Sequence, residues 1–432
     1  MTFLLICFVV FLVLGMPIAF VVGIAGIAYF ATTPVLPPEI VVMQIVSQSQ
    51  SFAFLAVPFF ILAGNLMNVS GITSRILSLA RILTRRMYGG TAQTSIMMST
   101  LMGGVSGSAT ADAIMSTRIL GPDMLRNGYS KGYICALNCT SALITATLPP
   151  SLGLIIFGFI GEVSIGRLFA AGIVPGFLMA VFLMATAGMT TRYRRYEPPR
   201  TDLPSVTWKE VFENLKDSFW ALLFPVILIV GIRFGLFTPS ESGAFAVFYA
   251  LIIGKFVYKE LTWEKFKQSL ITAVKDNGAI MLIIAMSGPF QFALTWVQLP
   301  VHLSNFIFGI TDNPQALTLI MLGFLFLTGL VVDSNVNFLL LTPIFLPMVT
   351  SVGMDPVHFG VLMATIVTLG VMTPPVGAAL FAVCGVLKCP VEECAKEEIP
   401  FLLAILLLLS ILVFLPDVVL FIPNMIFGPM GG

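Results

Sequence analysis

From Asp276 to Leu387 the chain carries no lysine or arginine, and apolar runs fill nearly all of that stretch. Such a segment cannot cover itself with a surface suited to water, where a domain ordinarily carries about 25% charged residues. The remainder agrees: of 432 residues 58% are hydrophobic, only 10% are Asp, Glu, Lys or Arg, and 22 basic against 21 acidic residues leave a net charge of +1. Disorder needs low hydrophobicity and high net charge, and nucleic-acid binding needs a basic excess, so both are excluded. Lipid is the solvent that fits, and at ~20 residues per span there is room for on the order of a dozen membrane segments. Spanning segments of this length are helices, because every backbone group must be satisfied internally. The expected fold class is an all-α polytopic membrane protein.

The N-terminus is not patterned as a signal peptide, since Phe3–Phe30 is apolar with no basic residue before it. Cys7, Cys135, Cys139 and Cys384 sit in apolar runs, and Cys389 and Cys394 flank a short charged loop. Their spacing is neither a disulfide framework nor a zinc site, and they read as small apolar fillers. Ile72–Met87, with Arg75, Arg81, Arg85 and Arg86 among Ile76, Leu79 and Ile82, has the pattern of a helix lying in the membrane interface.

At a fixed offset of 225 residues the chain matches itself. Pro122 pairs with Pro347, Gly128 with Gly353, Pro149-Pro150 with Pro374-Pro375, and Pro175 with Pro400. The polar knot Ser108-Ala109-Thr110 falls on Asp333-Ser334-Asn335, Gly104 on Gly329, and Asp112 on Asn337. A gapless ladder of this kind marks a duplication. Basic residues favour the cytoplasmic side, and they gather in Arg75–Arg86, Arg118–Lys131, Arg192–Lys216 and Lys255–Lys275. The segments aligned with the first two clusters, Pro300–Thr311 and Pro343–Pro356, contain none. The same segment is basic in one half and not in the other, which is the signature of an inverted-topology repeat, the architecture of many secondary transporters.

Two segments per half break the rules for an ordinary span. Gly103–Asp112 and Val331–Asn337 are polar knots midway between half-spans too short to cross singly, and a re-entrant helical hairpin with the knot at its tip accommodates each. Thr147-Leu148-Pro149-Pro150-Ser151 and Met372-Thr373-Pro374-Pro375-Val376 unwind a helix at membrane depth, because proline lacks the N–H and clashes with the preceding turn. Unwound backbone there is tolerated only when buried in protein or lining a water-filled site. Freed carbonyls and hydroxyls suit a small cation, and freed N–H groups at a helix start favour an anion. The expectation is a pair of sites for a cation together with an anionic solute. Asp112 and Asp333, ionisable at membrane depth, are functional candidates.

Two other readings compete. Gly104-Val105-Ser106-Gly107 has the G-x-S-G form found around the nucleophile of intramembrane serine proteases, which needs a histidine within reach of the serine. His302 and His358 lie far downstream, on segments expected at the outer side. A passive channel is the other reading, and closed hairpins on both sides fit alternating access better. No H-E-x-x-H, P-loop or G-x-G-x-x-G supports a metalloprotease, ATPase or dinucleotide enzyme.

These motifs resemble one known family. Gly-Val-Ser-Gly-Ser-Ala-Thr-Ala-Asp-Ala (104–113), Thr-Leu-Pro-Pro-Ser (147–151), Phe-Thr-Pro-Ser-Glu-Ser-Gly-Ala (237–244), Val-Met-Thr-Pro-Pro-Val-Gly (371–377) and Val-Pro-Phe-Phe-Ile-Leu-Ala-Gly-Asn-Leu-Met (57–67) are similar to the large membrane subunit of TRAP (tripartite ATP-independent periplasmic) transporters. The resemblance covers essentially the whole chain. It implies a multi-pass importer of the bacterial inner membrane, not an enzyme, that couples uptake of an organic anion to Na⁺, with two or more coupling ions. It implies an elevator in which a scaffold stays fixed while a transport domain carrying both hairpins and both broken helices moves. A small four-helix membrane subunit, on a separate chain, and a periplasmic binding protein would be the partners.

Carried over by position, the first Na⁺ site would involve Gly104, Ser106, Ser108, Thr145, Leu148 and Ser151, and the second Gly329, Asp333, Asn335, Gly370, Thr373 and Val376. The substrate, a sialic acid or C4-dicarboxylate type of carboxylate, would lie near Thr110, Asp112, Asn335 and Asn337, and the Ser-Ala-Thr-Ala-Asp tip resembles the sialic-acid branch. The corresponding division is scaffold helices over 1–70, an interfacial arm over 71–90, and a first transport half over 91–190, with hairpin 91–127 and broken helix 130–161. A cytoplasmic loop with scaffold helices follows over 191–275, then a helix and outer arm over 276–314. The second transport half takes 315–400, with hairpin 315–353 and broken helix 356–387, and a C-terminal helix takes 401–432.

Overall fold

Glycines and prolines set the helix ends in this chain. The computed structural model describes residues 2–33, 35–50, 55–198, 207–309, 311 and 313–428, and among them there are twenty α-helices and no strand. In chain order the first ten are α1 (Thr2–Val13), α2 (Ile18–Ala31), α3 (Glu39–Gln50), α4 (Ala56–Val69), α5 (Ile72–Thr84), α6 (Gly90–Gly103), α7 (Ala109–Arg126), α8 (Lys131–Thr147), α9 (Leu152–Ile160) and α10 (Ile165–Arg194). Then come α11 (Trp208–Arg233), α12 (Pro239–Ile252), α13 (Trp263–Trp296), α14 (Leu299–Phe308), α15 (Pro314–Val331), α16 (Ser334–Ser351), α17 (Pro356–Met372), α18 (Ala378–Leu387), α19 (Val391–Phe414) and α20 (Pro416–Phe427). Seven helices are long and apolar enough to cross a membrane, or up to nine if α4–α5 and α8–α9, bent by 64° and 46°, each count as one span.

Shifted by 225 residues, α7 falls on α16 and α8 on α17, residue for residue. Both double prolines contain a cis peptide bond, Pro149-Pro150 and Pro374-Pro375. The aligned segments interlock: α16 packs on α9, and α8 packs on α17. From Gly132 to Thr147 every residue of α8 is buried, and so is every residue of α17 from Val357 to Met372. With lipid tails as apolar as leucine, close packing rather than water exclusion holds such helices together, and small residues permit it. A Cβ on Gly172 of α10 would run into the Thr147 carbonyl oxygen. Around this centre, α13 packs on α2, α3 and α4, α12 packs on α4, and α11 packs on α5.

Helix α5 is amphipathic as its pattern indicates. Ile72, Ile76, Leu79 and Ala80 are buried, while Arg81 pairs with Asp123 at 2.8 Å, Arg85 with Glu210 at 3.4 Å, and Arg75 with Glu260.

Several expected boundaries fall inside helices. The 190/191 division lies in α10, 275/276 in α13 and 400/401 in α19. Charged residues do not end a helix, so α13 runs through Lys275-Asp276; Pro400 removes one N–H from α19 without stopping it, as membrane helices tolerate. The stop comes at Leu415-Pro416, so the C-terminal segment is two helices rather than one. Helix α3, rich in Gln and Ser, has too little apolar character to register as a span and was not anticipated. The cysteines also gather: Cys135, Cys139, Cys384, Cys389 and Cys394 share one buried cluster with Ala113, Ala136 and Ala142, all as free thiols.

Candidate functional site

Each hairpin ends in a helix start capped by its own polar knot. Between α6 and α7, Ser108 is the N-cap of α7 and its hydroxyl accepts from Ala111 N at 3.4 Å. Between α15 and α16, Asp333 is the N-cap of α16 and its Oδ1 accepts from Asn335 N at 2.9 Å. The first tip touches the first helix break directly. Leu152 N donates to the Gly107 carbonyl at 3.3 Å. Gly107 holds φ +63°, and a Cβ there would lie 2.6 Å from the Pro150 carbonyl oxygen, so the position takes only glycine. At the second break the hairpin and broken helix cross backbone to backbone: a Cβ on Gly370 would lie 2.8 Å from Gly329 Cα.

A cleft of about 40 Å³ lies where the two halves meet. Ser108, Thr110, Ser151, Ser334 and Asn335 line it with Phe338 and Thr368, and no lining side chain is charged. Three helix starts open into it, those of α7, α9 and α16. Of the four residues expected at the substrate, the structure brings Thr110 and Asn335 to this cleft. Asp112 and Asn337 point elsewhere. Asp112 is fully buried, and its Oδ2 accepts from Ser99 Oγ at 2.7 Å and Thr145 Oγ1 at 2.9 Å, between α6 and α8. Asn337 is buried and donates to the carbonyls of Val332 at 2.9 Å and Asp333 at 3.3 Å. The helical turn decides this, since Asp112 lies two residues past Thr110 and Asn337 two past Asn335, about 200° further round the helix and so on its other side.

The residues expected at the first cation site divide similarly. Ser108 and Ser151 line the cleft; Ser151 donates to Ala146 O at 2.5 Å. Leu148 packs under Gly103, Gly104 abuts Pro225 of α11, and Ser106 is buried with its hydroxyl unpartnered. Thr145 is tied to Asp112. At the second, Gly329 and Gly370 cross and Thr373 is buried, donating to Leu369 O at 2.7 Å. Asp333 and Val376 are exposed. Sequence reasoning missed Ser99 and Glu398. Glu398 carries a readable signal: with Cys394, Phe401, Ile405, Leu408 and Leu412 it lies on the buried 3.6-period face of α19.

The model of the family described as "Tripartite ATP-independent periplasmic transporter, DctM component" matches residues 5–418. The chain belongs to this family. A putative TRAP transporter large permease of Haemophilus influenzae is 36% identical over 409 residues, 95% of each chain. The 2,3-diketo-L-gulonate TRAP transporter large permease of Escherichia coli is 33% identical, covering 94% of this chain and 95% of its own. The sialic acid TRAP transporter large permease of Vibrio cholerae is 34% identical, covering 96% of each. Among solved structures, the YdaH transporter of Alcanivorax borkumensis shares the fold at a TM-score of 0.67 with 14% identity over 88% of each chain. The MtrF efflux pump of Neisseria gonorrhoeae does so at 0.60 with 13% identity over 87% of this chain and 83% of its own.

This TRAP large permease is therefore a multi-pass protein of the bacterial inner membrane and a secondary transporter component, not an enzyme. The protease reading lacks its base. His358 is buried with Nε2 2.9 Å from Leu412 O, and His302 is exposed on α14, so neither serves Ser106.

Proposed function

We propose that this TRAP large permease carries an organic acid anion through the cleft between its two hairpin tips, coupled to Na⁺. The observation that carries the reading is the meeting of three helix starts at one uncharged cleft. Their N–H groups and dipoles favour an anion without a fixed cation that would hold it too tightly. Thr110 and Asn335 are the side chains best placed to orient a carboxylate or its hydroxyls. Relatives named for sialic acid and 2,3-diketo-L-gulonate support a carboxylate of the sugar-acid type, with C4-dicarboxylates the other class.

The residues behind the cleft fit a small hard cation. Ser106 Oγ and Asp112 Oδ1 are buried oxygens without a hydrogen-bond partner, and the double prolines deprive nearby carbonyls of their donors. The first site draws on Gly104, Ser106, Ser108, Leu148 and Ser151, with Thr145 acting through Asp112; the second draws on Gly329, Gly370 and Thr373. Bound Na⁺ supplies positive charge beside the anion. The inverted halves support alternating access, and the burial of α8 and α17 on all sides supports their moving as one body with the hairpins, as an elevator. A small membrane subunit and a periplasmic binding protein complete the proposed system. Uptake into proteoliposomes holding the complete system tests the coupling: it is expected to stop when choline replaces Na⁺, and undiminished uptake overturns it.

A further inference from the structure

The two halves differ at their proline breaks in a way the duplication alone does not foresee. In the first half, the buried carboxylate of Asp112 reaches Thr145, about one turn before Pro149-Pro150, and one of its oxygens has no partner. In the second half the aligned residue is Asn337, whose amide is spent on the carbonyls of Val332 and Asp333. Ser151, which donates to the carbonyl of Ala146, is replaced by Val376, so Val371 O has neither that hydroxyl nor an N–H from Pro375. The second break therefore lacks that carboxylate and that hydroxyl, while one carboxylate reaches it from α19, at a position where the first half has Ile173. Glu398 of α19 is 1% exposed, its Oε1 lies 3.4 Å from Thr373 Oγ1, and its Oε2 is buried with no hydrogen-bond partner.

Among the described residues, none of the five ion pairs reaches Glu398. Its neighbour Glu397 is the one that takes Arg194. The groups around Glu398 are Thr373 at the C-terminal cap of α17, Cys139 of α8, Cys384 of α18 and Cys394 of α19, none of them cationic. A buried carboxylate without a cation is costly, and an unpartnered oxygen beside a helix break is where a cation removes that cost.

We propose that Glu398 supplies the negative charge of the second-half cation site, taking the part that Asp112 plays in the first half. The proposal rests on the sodium reading given above. It makes Glu398 a Na⁺-binding residue contributed by a helix outside both hairpins and both broken helices, tying α19 to the state of the second break.

The test is thermal unfolding of the purified full-length chain in detergent, titrated with NaCl against choline chloride at constant ionic strength. Wild type is expected to gain stability with Na⁺. Glu398→Gln is expected to raise the Na⁺ concentration at half effect about 10- to 100-fold, the scale of losing a supporting metal ligand. Its unfolding temperature in choline alone reports any merely structural loss. Glu397→Gln is expected to leave the Na⁺ midpoint unchanged. If Glu398→Gln does not yield folded protein, Glu398→Asp carries the test, with an expected rise of about threefold or more. A wild type that responds to Na⁺ with an unshifted Glu398 variant overturns this inference alone. A wild type indifferent to Na⁺ overturns the sodium reading and this inference with it.

Discussion

Asp112 Oδ2 accepts from Thr145 Oγ1 at 2.9 Å and from Ser99 Oγ at 2.7 Å, joining both limbs of the first hairpin to the first broken helix. A carboxylate that accepts two hydroxyls in a dry interior is hard to replace. Asp112→Ala removes the shorter acceptor of each, leaving Thr145 only the Ser99 carbonyl at 3.1 Å and Ser99 only Ser141 Oγ at 3.4 Å, at a cost of about 1–3 kcal/mol in all. Asp112→Asn keeps one oxygen facing the hydroxyls and should retain most of that stability. Thermal unfolding in detergent separates the two, and equal behaviour of both variants would show that the hydrogen bonds contribute little.

The crossing of Gly329 and Gly370 leaves no room for a side chain. A Cβ on Gly329 would lie 2.7 Å from Val367 O, and one on Gly370 would lie 2.7 Å from Phe326 O. These are backbone atoms of packed helices and cannot step aside. Alanine at either position is expected to cost about 1–3 kcal/mol by overpacking. Gly323→Ala and Gly385→Ala, where a Cβ meets nothing within 4 Å, should change stability by less than about 1 kcal/mol. Unfolding temperatures of the four variants decide the matter.

The repeat itself shows how far the chain alone could be read. Prolines and glycines act locally, so the 225-residue register read from them also carries α7 onto α16 and α8 onto α17. Side-chain direction was less legible. Asp112 and Asn337 were placed at the substrate because they sit near a tip, yet both turn inward, since each lies two residues past the one that lines the cleft and so on the opposite side of its helix. Glu398 was hidden for the opposite reason: three acids surround it in sequence, and only the helical period of α19 separates the one buried among apolar residues from those facing solvent. The meeting of five cysteines from α8, α18, α19 and the α18–α19 link depends on tertiary packing and left no trace in their spacing.

Glu197 gathers the base of the first hairpin. Its carboxylate accepts from Thr91 N at 2.8 Å, Thr91 Oγ1 at 2.8 Å, Asn127 Nδ2 at 3.2 Å and Tyr129 OH at 3.0 Å. The buried Tyr129 hydroxyl is accordingly held well above its ordinary pKa, first by burial and then by this carboxylate. Hydrogen bonds to charged groups contribute about 1.5–3 kcal/mol each, so Glu197→Ala should cost about 3 kcal/mol or more. The Arg81–Asp123 pair, with side chains 51% and 37% exposed, makes the contrast. Arg81→Ala should shift stability by less than about 1 kcal/mol, as screened surface pairs do. Chemical denaturation of both variants in the same detergent measures the difference.

Thr110 and Asn335 line the same cleft from opposite halves of the repeat, and the cleft offers only about 40 Å³. Pockets for small organic ligands run to about 300 Å³ and more, so an organic acid enters only when the two tips separate. Holding the tips together should therefore stop transport without unfolding the protein. In the complete reconstituted system, Thr110→Cys with Asn335→Cys is expected to lose at least about nine-tenths of its uptake on treatment with a short thiol cross-linker. In a background where the half-buried Cys7 is replaced by serine, each single variant should keep its uptake under the same treatment, because the other five native cysteines are buried. A cleavable cross-linker allows recovery on reduction. Uptake that continues at full rate in the cross-linked double variant would place the substrate's path outside this cleft.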